Sequence, residues 1–389
     1  MAMQIQSIVL AWQMYTLTHD ALFLGFIGLT EAIPALGLAL FSGYYVDQNR
    51  PLIILRAVMC VGLFSGFLLL ISHTPWVELS VTSQVKTLFV SAFLAGIARA
   101  FFGPSLYSLV PHIVSRENLS KGAAGMTAAF QTAMIAGPAV GGLLFGLVGI
   151  LKTSFVMCSL IFAALIATLL IKTNPDPATQ RHAEHDFKKE LLSGARFVFG
   201  HPIMLPALSM DMFCVLFGGV VALLPIYAAE ILHVGPSGLG ILRAAPAVGA
   251  SIVSLAYTQV AMQKNTGKWL LACVAGFGIC ILVFAVSTNY TLSLIALALS
   301  VGFDSVSAVI RNAIVTLVSP AELRGRISSV NMIFISSSNE LGEFESGTAA
   351  RFLGTVPAAI FGGLMCLLIV AGITVWCPKL RDLDLEQLT

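Results

Sequence analysis

The sequence predicts an all-α membrane protein of twelve helices arranged as two pseudo-symmetric six-helix halves, and three observations predict it. Of its 389 residues 57% are hydrophobic and 10% charged, whereas roughly a quarter of the residues in a water-soluble domain are charged. Apolar runs of span length recur along the whole chain, broken by polar, Pro or Gly turns. One long polar segment, 172–202, separates six such runs from six more.

The first run, near 2–17, is short. About 15 apolar residues make roughly 22 Å of helix, less than the ~20 residues of a full span, so helix 1 is expected to be truncated. The opening "MAMQIQSIVLAWQMYTLTHD" has no basic start and no small-residue cleavage site, which argues against a signal peptide. Runs near 22–44, 52–72, 87–110, 122–148 and 152–172 complete the first half. The polar segment starts as a Pro-broken linker, to which His182 and His185 belong as solvated side chains rather than metal ligands. From Asp186 to Phe199 the residues Phe187, Leu191, Ala195 and Val198 recur at helical spacing and predict an amphipathic helix on the inner membrane surface. Runs near 202–229, 237–261, 268–288, 290–312, 327–348 and 353–377 build the second half. The domains are therefore 1–172, a cytoplasmic linker 173–200, and 201–389. A faint repeat agrees: "GIARAFFGPSLYSLVPHIVSRENLSKG" from Gly96 and "GFDSVSAVIRNAIVTLVSPAELRGR" from Gly302 follow the same course, and parallel halves are a transporter pattern.

Charge placement orients the spans. With both termini cytoplasmic, the inside loops and span ends hold fourteen Lys and Arg, and the outside holds Lys86, Lys152 and Arg351. That asymmetry is the positive-inside pattern, with Arg56, Arg99, Arg243 and Arg311 left within spans. Trp76, Trp269 and Trp376 fall near span ends, as interfacial aromatics do. A net charge of +2 gives no footprint for nucleic acid. The seven cysteines are scattered singly through apolar runs, which fits neither a disulfide frame nor a metal site. Neither a "GxxxxGK[ST]" phosphate loop nor an "HExxH" zinc motif occurs, so no cofactor is expected and an ion gradient is the expected energy source.

An ionisable residue at the bilayer centre costs on the order of 2.5–3.5 kcal/mol, so each one within a span is a functional candidate. Glu31 in helix 2, Arg99 in helix 4 and Glu340 in helix 11 lie roughly 12 to 17 Å from their nearer span ends. Glu340 and Glu343, in "SSSNELGEFESG", are spaced i,i+3 and share a face. Two carboxylates that close cannot both ionise cheaply, so the pair is a candidate for taking up and releasing a proton. Glu345 is turned away and is expected at the outer rim; the alternative for Glu343 as well as Glu345 is a place near that rim, pairing with Arg351. Arg99 is expected to face a cavity or to pair with an acid such as Glu31. Asp304 and Arg311 are seven apart on helix 10, about 10 Å along the axis, and are expected to be too distant to pair, leaving Arg311 as a gate or packing residue. Asp211 and Asp304 are further proton-coupling candidates. The amides Gln4, Gln6, Gln13, Gln131 and Asn339 should look inward, either towards a substrate cavity or into hydrogen bonds between helices. "AGPAVGG", Ala136 to Gly142, lets helices approach closely and can bend helix 5 at Pro138.

The turn "GYYVDQNRP" between helices 2 and 3, "AGPAVGG" in helix 5 and the six-plus-six layout resemble the major facilitator superfamily. "GLTEAIPALGLALFSGYYVD", "LVPHIVSREN", "LRAAPAVGA" and "RGRISSVNMIF...SNELGEFESG" look more narrowly like its bacterial exporter branch of enterobactin exporters and macrolide efflux proteins. The resemblance implies a multi-pass transporter of the bacterial inner membrane, a monomer, with a small organic molecule as substrate and the lipid bilayer as surroundings. It implies that Gly43 and Asp47 begin the cytoplasmic gating motif, with Arg50 as basic partner and Arg311, Arg324 and Arg326 among the inner-side gating residues. Here Gln48 stands where the family's motif has a basic residue, and "DQNRP" is about one residue short, which weakens that latch. Gly137, Pro138, Gly141 and Gly142 match the helix 5 motif associated with antiporters, although Ala133 replaces a Gly. The family's helix 1 also starts before "AMQIQSIVLAWQ", so part of it is expected to be missing. The function implied is proton-coupled export by alternating access, not an enzyme activity. The alternatives are an uptake symporter or uniporter, or a non-transporting scaffold or sensor.

Overall fold

The computed structural model describes residues 1–74, 76–171, 187–257, 265–320 and 323–384. The expected linker with His182 and His185 therefore lies outside the described residues. Among the described residues every regular element is helical.

The first five helices are α1 (Ala2–Thr18), α2 (Ala21–Gln48), α3 (Pro51–Ser72), α4 (Val81–Ile113) and α5 (Leu119–Leu170). Their ends follow local chemistry. His19 closes α1 in the left-handed region at φ 48°, and the Asp20 carboxylate then accepts from the Leu22 amide at 3.0 Å to start α2. Pro51 opens α3 at a position where a missing N–H costs nothing, and Ser80 caps α4. Within α5 Gly149, at φ 76°, divides the helix where a break between two spans was expected. Pro138 lies inside α5 with helical dihedrals, so the helix runs on through it.

The amphipathic α6 (Phe187–Gly200) follows the predicted range. The seventh span differs from expectation. It runs as α7 (Met204–Phe217), breaks at Gly218, and resumes through a 3-10 turn (Val220–Leu223), α8 (Leu224–Ile226) and a π turn (Tyr227–Ile231). Tandem glycines explain the break. A Cβ on Gly218 would meet the Phe277 ring and the Cys214 carbonyl, and one on Gly219 would meet the Gly342 backbone, so only bare backbone fits. Then come α9 (Gly235–Tyr257), α10 (Thr266–Val286), α11 (Tyr290–Val318), α12 (Arg324–Leu353), α13 (Thr355–Trp376) and the short α14 (Pro378–Arg381). α12 continues past its expected end to Gly354, where φ of 92° turns the chain into α13.

Among the described residues nine helical stretches are long and apolar enough to cross a membrane, so the chain is a multi-pass membrane protein. The stretch containing α5 is 50 residues long, enough for two crossings. α1, at 17 residues, and α12, rich in Ser, Asn and Glu, fall outside the nine. Trp76, Trp269 and Trp376 are exposed near helix ends, in keeping with interfacial positions. Trp12, which the sequence left without a specific role, packs edge-on against Phe145 of α5.

By contact the chain forms two compact units, Met1–Arg181 with Leu224–Ala244, and His182–Leu223 with Ala245–Thr389. In the first unit α2 and α3 pack on α4, and α1 and α3 pack on α5. In the second α10 packs on α11 and α13, and α7 packs on α12 and α13. Lipid tails are as apolar as leucine, so close backbone approach and van der Waals fit hold such helices together. Small residues supply it: Gly96 sits against the Glu31 carbonyl, Gly249 against that of Ala298, and Gly362 against that of Phe217.

Candidate functional site

In the first unit Gly96 brings α4 against α2, and Arg99 follows three residues later on the same side of the helix. Its guanidinium meets the Glu31 carboxylate at 3.2 Å, the partnership the sequence suggested. Both side chains keep some exposure, 51% for Arg99 and 23% for Glu31.

Gln6 lies elsewhere in this unit, fully enclosed. Its amide donates to the Ser65 hydroxyl at 2.6 Å and to the Ser91 hydroxyl at 3.2 Å, and Ser65 donates on to the Ser91 carbonyl at 2.8 Å. Of the two readings the sequence allowed, the structure gives Gln6 the hydrogen-bond node joining α1, α3 and α4. Gln4 donates to the Met134 sulfur of α5. Gln13 is half-buried and Gln131 exposed.

The helix 5 glycines work on two sides. Gly137 and Gly141 lie under α1, where a Cβ would press on Gln4 and Ile5. Gly142 and Gly146 lie under the start of α9, where a Cβ would strike the Gly240 backbone and Ser237. Each pair is spaced i,i+4, so α5 offers two flat strips to two neighbours. Two further contacts tie α1 to the Leu224–Ala244 stretch: Arg243 donates to the Ser7 hydroxyl at 2.6 Å, and the buried Tyr15 hydroxyl donates to Glu230 on the π turn. The sequence reading gave Tyr15 and Glu230 no role. An acid one residue beyond the apolar run 202–229 was the available signal, but nothing local ties it to helix 1.

The second unit holds a buried cluster. Arg311 of α11 is ion-paired with Asp211 of α7, and its other terminal nitrogen lies 3.8 Å from Asp304. This corrects the expectation that Asp304 and Arg311 are too distant to pair. The 10 Å estimate measured the helix axis, whereas a long guanidinium side chain folds along the helix face and closes the gap. Arg311 and Asp211 are 6% and 10% exposed, Asp304 33%. Ser307, between Asp304 and Arg311, is fully buried, and its hydroxyl finds no hydrogen-bond partner among the described residues.

Glu340 and Glu343 are half-buried on α12, and Glu345 accepts a long hydrogen bond from Ser346 at 3.5 Å. Asn339 is exposed and donates to the Ile335 carbonyl of its own helix at 2.8 Å. Among the gating candidates, Gly43 on α2 has open space where a Cβ would go, and Arg50 is the exposed residue preceding α3. Arg326 donates to the Ser193 hydroxyl of α6 at 3.2 Å, and Gly194 lies directly under its backbone. Asp47 ends α2 and Arg324 begins α12, and their side chains lie outside the described residues.

The chain is similar over nearly its whole length to known transporters. It is 25% identical to the multidrug efflux pump Tap of Mycolicibacterium fortuitum, with 97% of this chain and 93% of Tap covered. It is 24% identical to the enterobactin exporter EntS of Citrobacter koseri, with 92% and 84% covered. Among solved structures it resembles the nucleoside transporter NupG (TM-score 0.76, 11% identity, 96% and 98% covered). It also resembles a D-xylose–proton symporter (TM-score 0.67, 12% identity, 98% of each chain). The last two likenesses are of fold. The sequence matches the Major Facilitator Superfamily over residues 1–343, and the chain belongs to that family of membrane transporters.

Proposed function

We propose that this protein exports a small organic molecule, siderophore or drug-like, across the bacterial inner membrane by alternating access, in exchange for protons. The observation that carries the reading is charge held well inside the spans of each unit: the Glu31–Arg99 pair in one and the Asp211–Arg311–Asp304 cluster in the other. Charge at that depth is costly and marks ion or substrate pathways. Tap is a multidrug efflux pump and EntS an enterobactin exporter, and their similarity to this chain supports the outward direction.

In this reading both termini are cytoplasmic, no cofactor takes part and the working unit is a monomer. Glu31, Glu340, Glu343, Asp211 and Asp304 are the carboxylates from which the proton carrier comes. Arg99, Gln13, Gln131 and Asn339 are offered to the substrate, while Gly43, Asp47, Arg50, Arg324 and Arg326 gate the inner side. A proton bound in one state and not the other biases the cycle by its differential affinity.

The test is proton movement in proteoliposomes loaded with a pH-sensitive dye and challenged with enterobactin, a macrolide and a lipophilic cation. A pH change that depends on one of these compounds, absent from protein-free vesicles, is the expected result. Flux of a compound with no accompanying proton movement would replace antiport with uniport.

A further inference from the structure

We infer that Asp304 is the carboxylate of the second unit that binds and releases the transported proton, and that the Asp211–Arg311 pair is the fixed element that positions it; the inference rests on the proton-coupled reading above.

Among the described residues one guanidinium faces two carboxylates, ion-paired closely with Asp211 and more loosely with Asp304 at 3.8 Å. Arg311 is therefore already neutralised, and an ionised Asp304 adds a negative charge in excess. Asp304 lies fourteen residues from either end of α11 (Tyr290–Val318), so roughly 21 Å of helix separates it from each end. An uncompensated charge in that position is expensive. A proton removes the excess.

A metal cation fits less well. Hard cations need several oxygen ligands, and here the guanidinium that repels them is within 4 Å. A proton needs one lone pair.

Access separates the two acids. Asp211 is 10% exposed and Asp304 33%, so Asp304 is the acid less enclosed by its neighbours. Ser307 supplies an independent observation. It shares the face of α11 with Asp304 and Arg311, at spacings of three and four, it is fully buried, and its hydroxyl has no partner among the described residues. A hydroxyl can donate to an ionised carboxylate and accept from a protonated one, so Ser307 can serve both forms of Asp304.

The other titratable groups on the packed elements are few. α7 brings Asp211 and Cys214, and α13 brings Cys366, whose thiol donates to the Cys214 carbonyl. α10 carries Lys268 in its first turn as its one charge. α12 brings Glu340, Glu343 and Glu345 past its midpoint, with Arg324 and Arg326 in its first turn and Arg351 in its last. Residues 245–256 of α9 carry none.

The test is infrared difference spectroscopy of the full chain in lipid, titrated from alkaline to acid pH, reading the protonated-carboxyl band. The wild type should gain a band that Asp304→Asn lacks, by one carboxyl per chain, and that Asp304→Glu restores at a shifted frequency. Asp304→Asn should still elute as a single species with an unchanged unfolding temperature, because the Asp211–Arg311 pair remains. In vesicles the same substitution should reduce proton-driven accumulation of enterobactin or ethidium by at least about tenfold, with recovery in Asp304→Glu. An unchanged band in folded Asp304→Asn overturns the inference and moves the proton to another acid, such as Glu340. Should the wild type accumulate none of the probes, the exporter reading fails, and the infrared comparison still decides whether Asp304 binds the proton.

Discussion

Glu31 and Arg99 pair on helices held together at Gly96, so replacing either removes an ion pair from within a span. Because Arg99 is half exposed, their coupling should be modest, about 1 kcal/mol. A double-mutant cycle of Glu31→Gln and Arg99→Gln, read by thermal unfolding in detergent, should return that value with both single variants less stable than the pair. Arg311 is different in kind. It is buried, and Arg311→Gln leaves two acids facing each other, so it should cost roughly 3–5 kcal/mol, more than either variant of the Glu31 pair. His201 gives a pH-dependent case outside the spans. Its Nδ1 accepts from the Ile203 and Met204 amides at 3.3 Å, capping α7, and burial lowers its pKa from 6.5. A protonated Nδ1 cannot accept. The cap therefore contributes fully above pH 6.5 and is lost as pH falls through the folded-state value. His201→Asn, which keeps a capping oxygen, should flatten the acid side of a stability–pH curve, and an identical slope would remove His201 from the account.

At the scale of the element, α5 shows how a small-residue motif is used. Gly142 faces the Gly240 backbone at a distance that leaves no room for a methyl, while Gly43 on α2 faces open space. Gly142→Ala should destabilise by roughly 1–3 kcal/mol through overpacking. Gly43→Ala should be neutral or stabilising by up to about 1 kcal/mol through helix propensity. Equal effects at both sites would mean that the α5–α9 contact contributes little. The sequence identified the glycine cluster as a close-packing motif. It could not divide it into a strip for α1 and a strip for α9, because that division depends on which helices flank α5.

For the whole molecule, orientation in the membrane sets the direction of transport. If both termini are cytoplasmic, the α3–α4 connection lies outside and the α2–α3 turn inside. Glu78→Cys should react with a membrane-impermeant maleimide in intact cells, above the background of the native cysteines. Asn49→Cys should react only after permeabilisation. The reverse pattern would invert the topology and with it the direction assigned to transport.

Sequence alone determined the membrane class, the helix-rich architecture, most helix limits and the family resemblance. These rest on local sums, such as hydropathy over a window, and on the polar, Pro and Gly turns that break the apolar runs. The Glu31–Arg99 pair was also legible, because two opposite charges at similar depth have few other partners. Only the tertiary structure decided that Arg311 joins Asp211 and Asp304, that Tyr15 meets Glu230, that Gln6 is enclosed by Ser65 and Ser91, and that the seventh span breaks at Gly218. Each depends on a helix crossing or side-chain reach that brings together residues far apart in the chain, and helical periodicity fixes the face a residue occupies without fixing what stands opposite it.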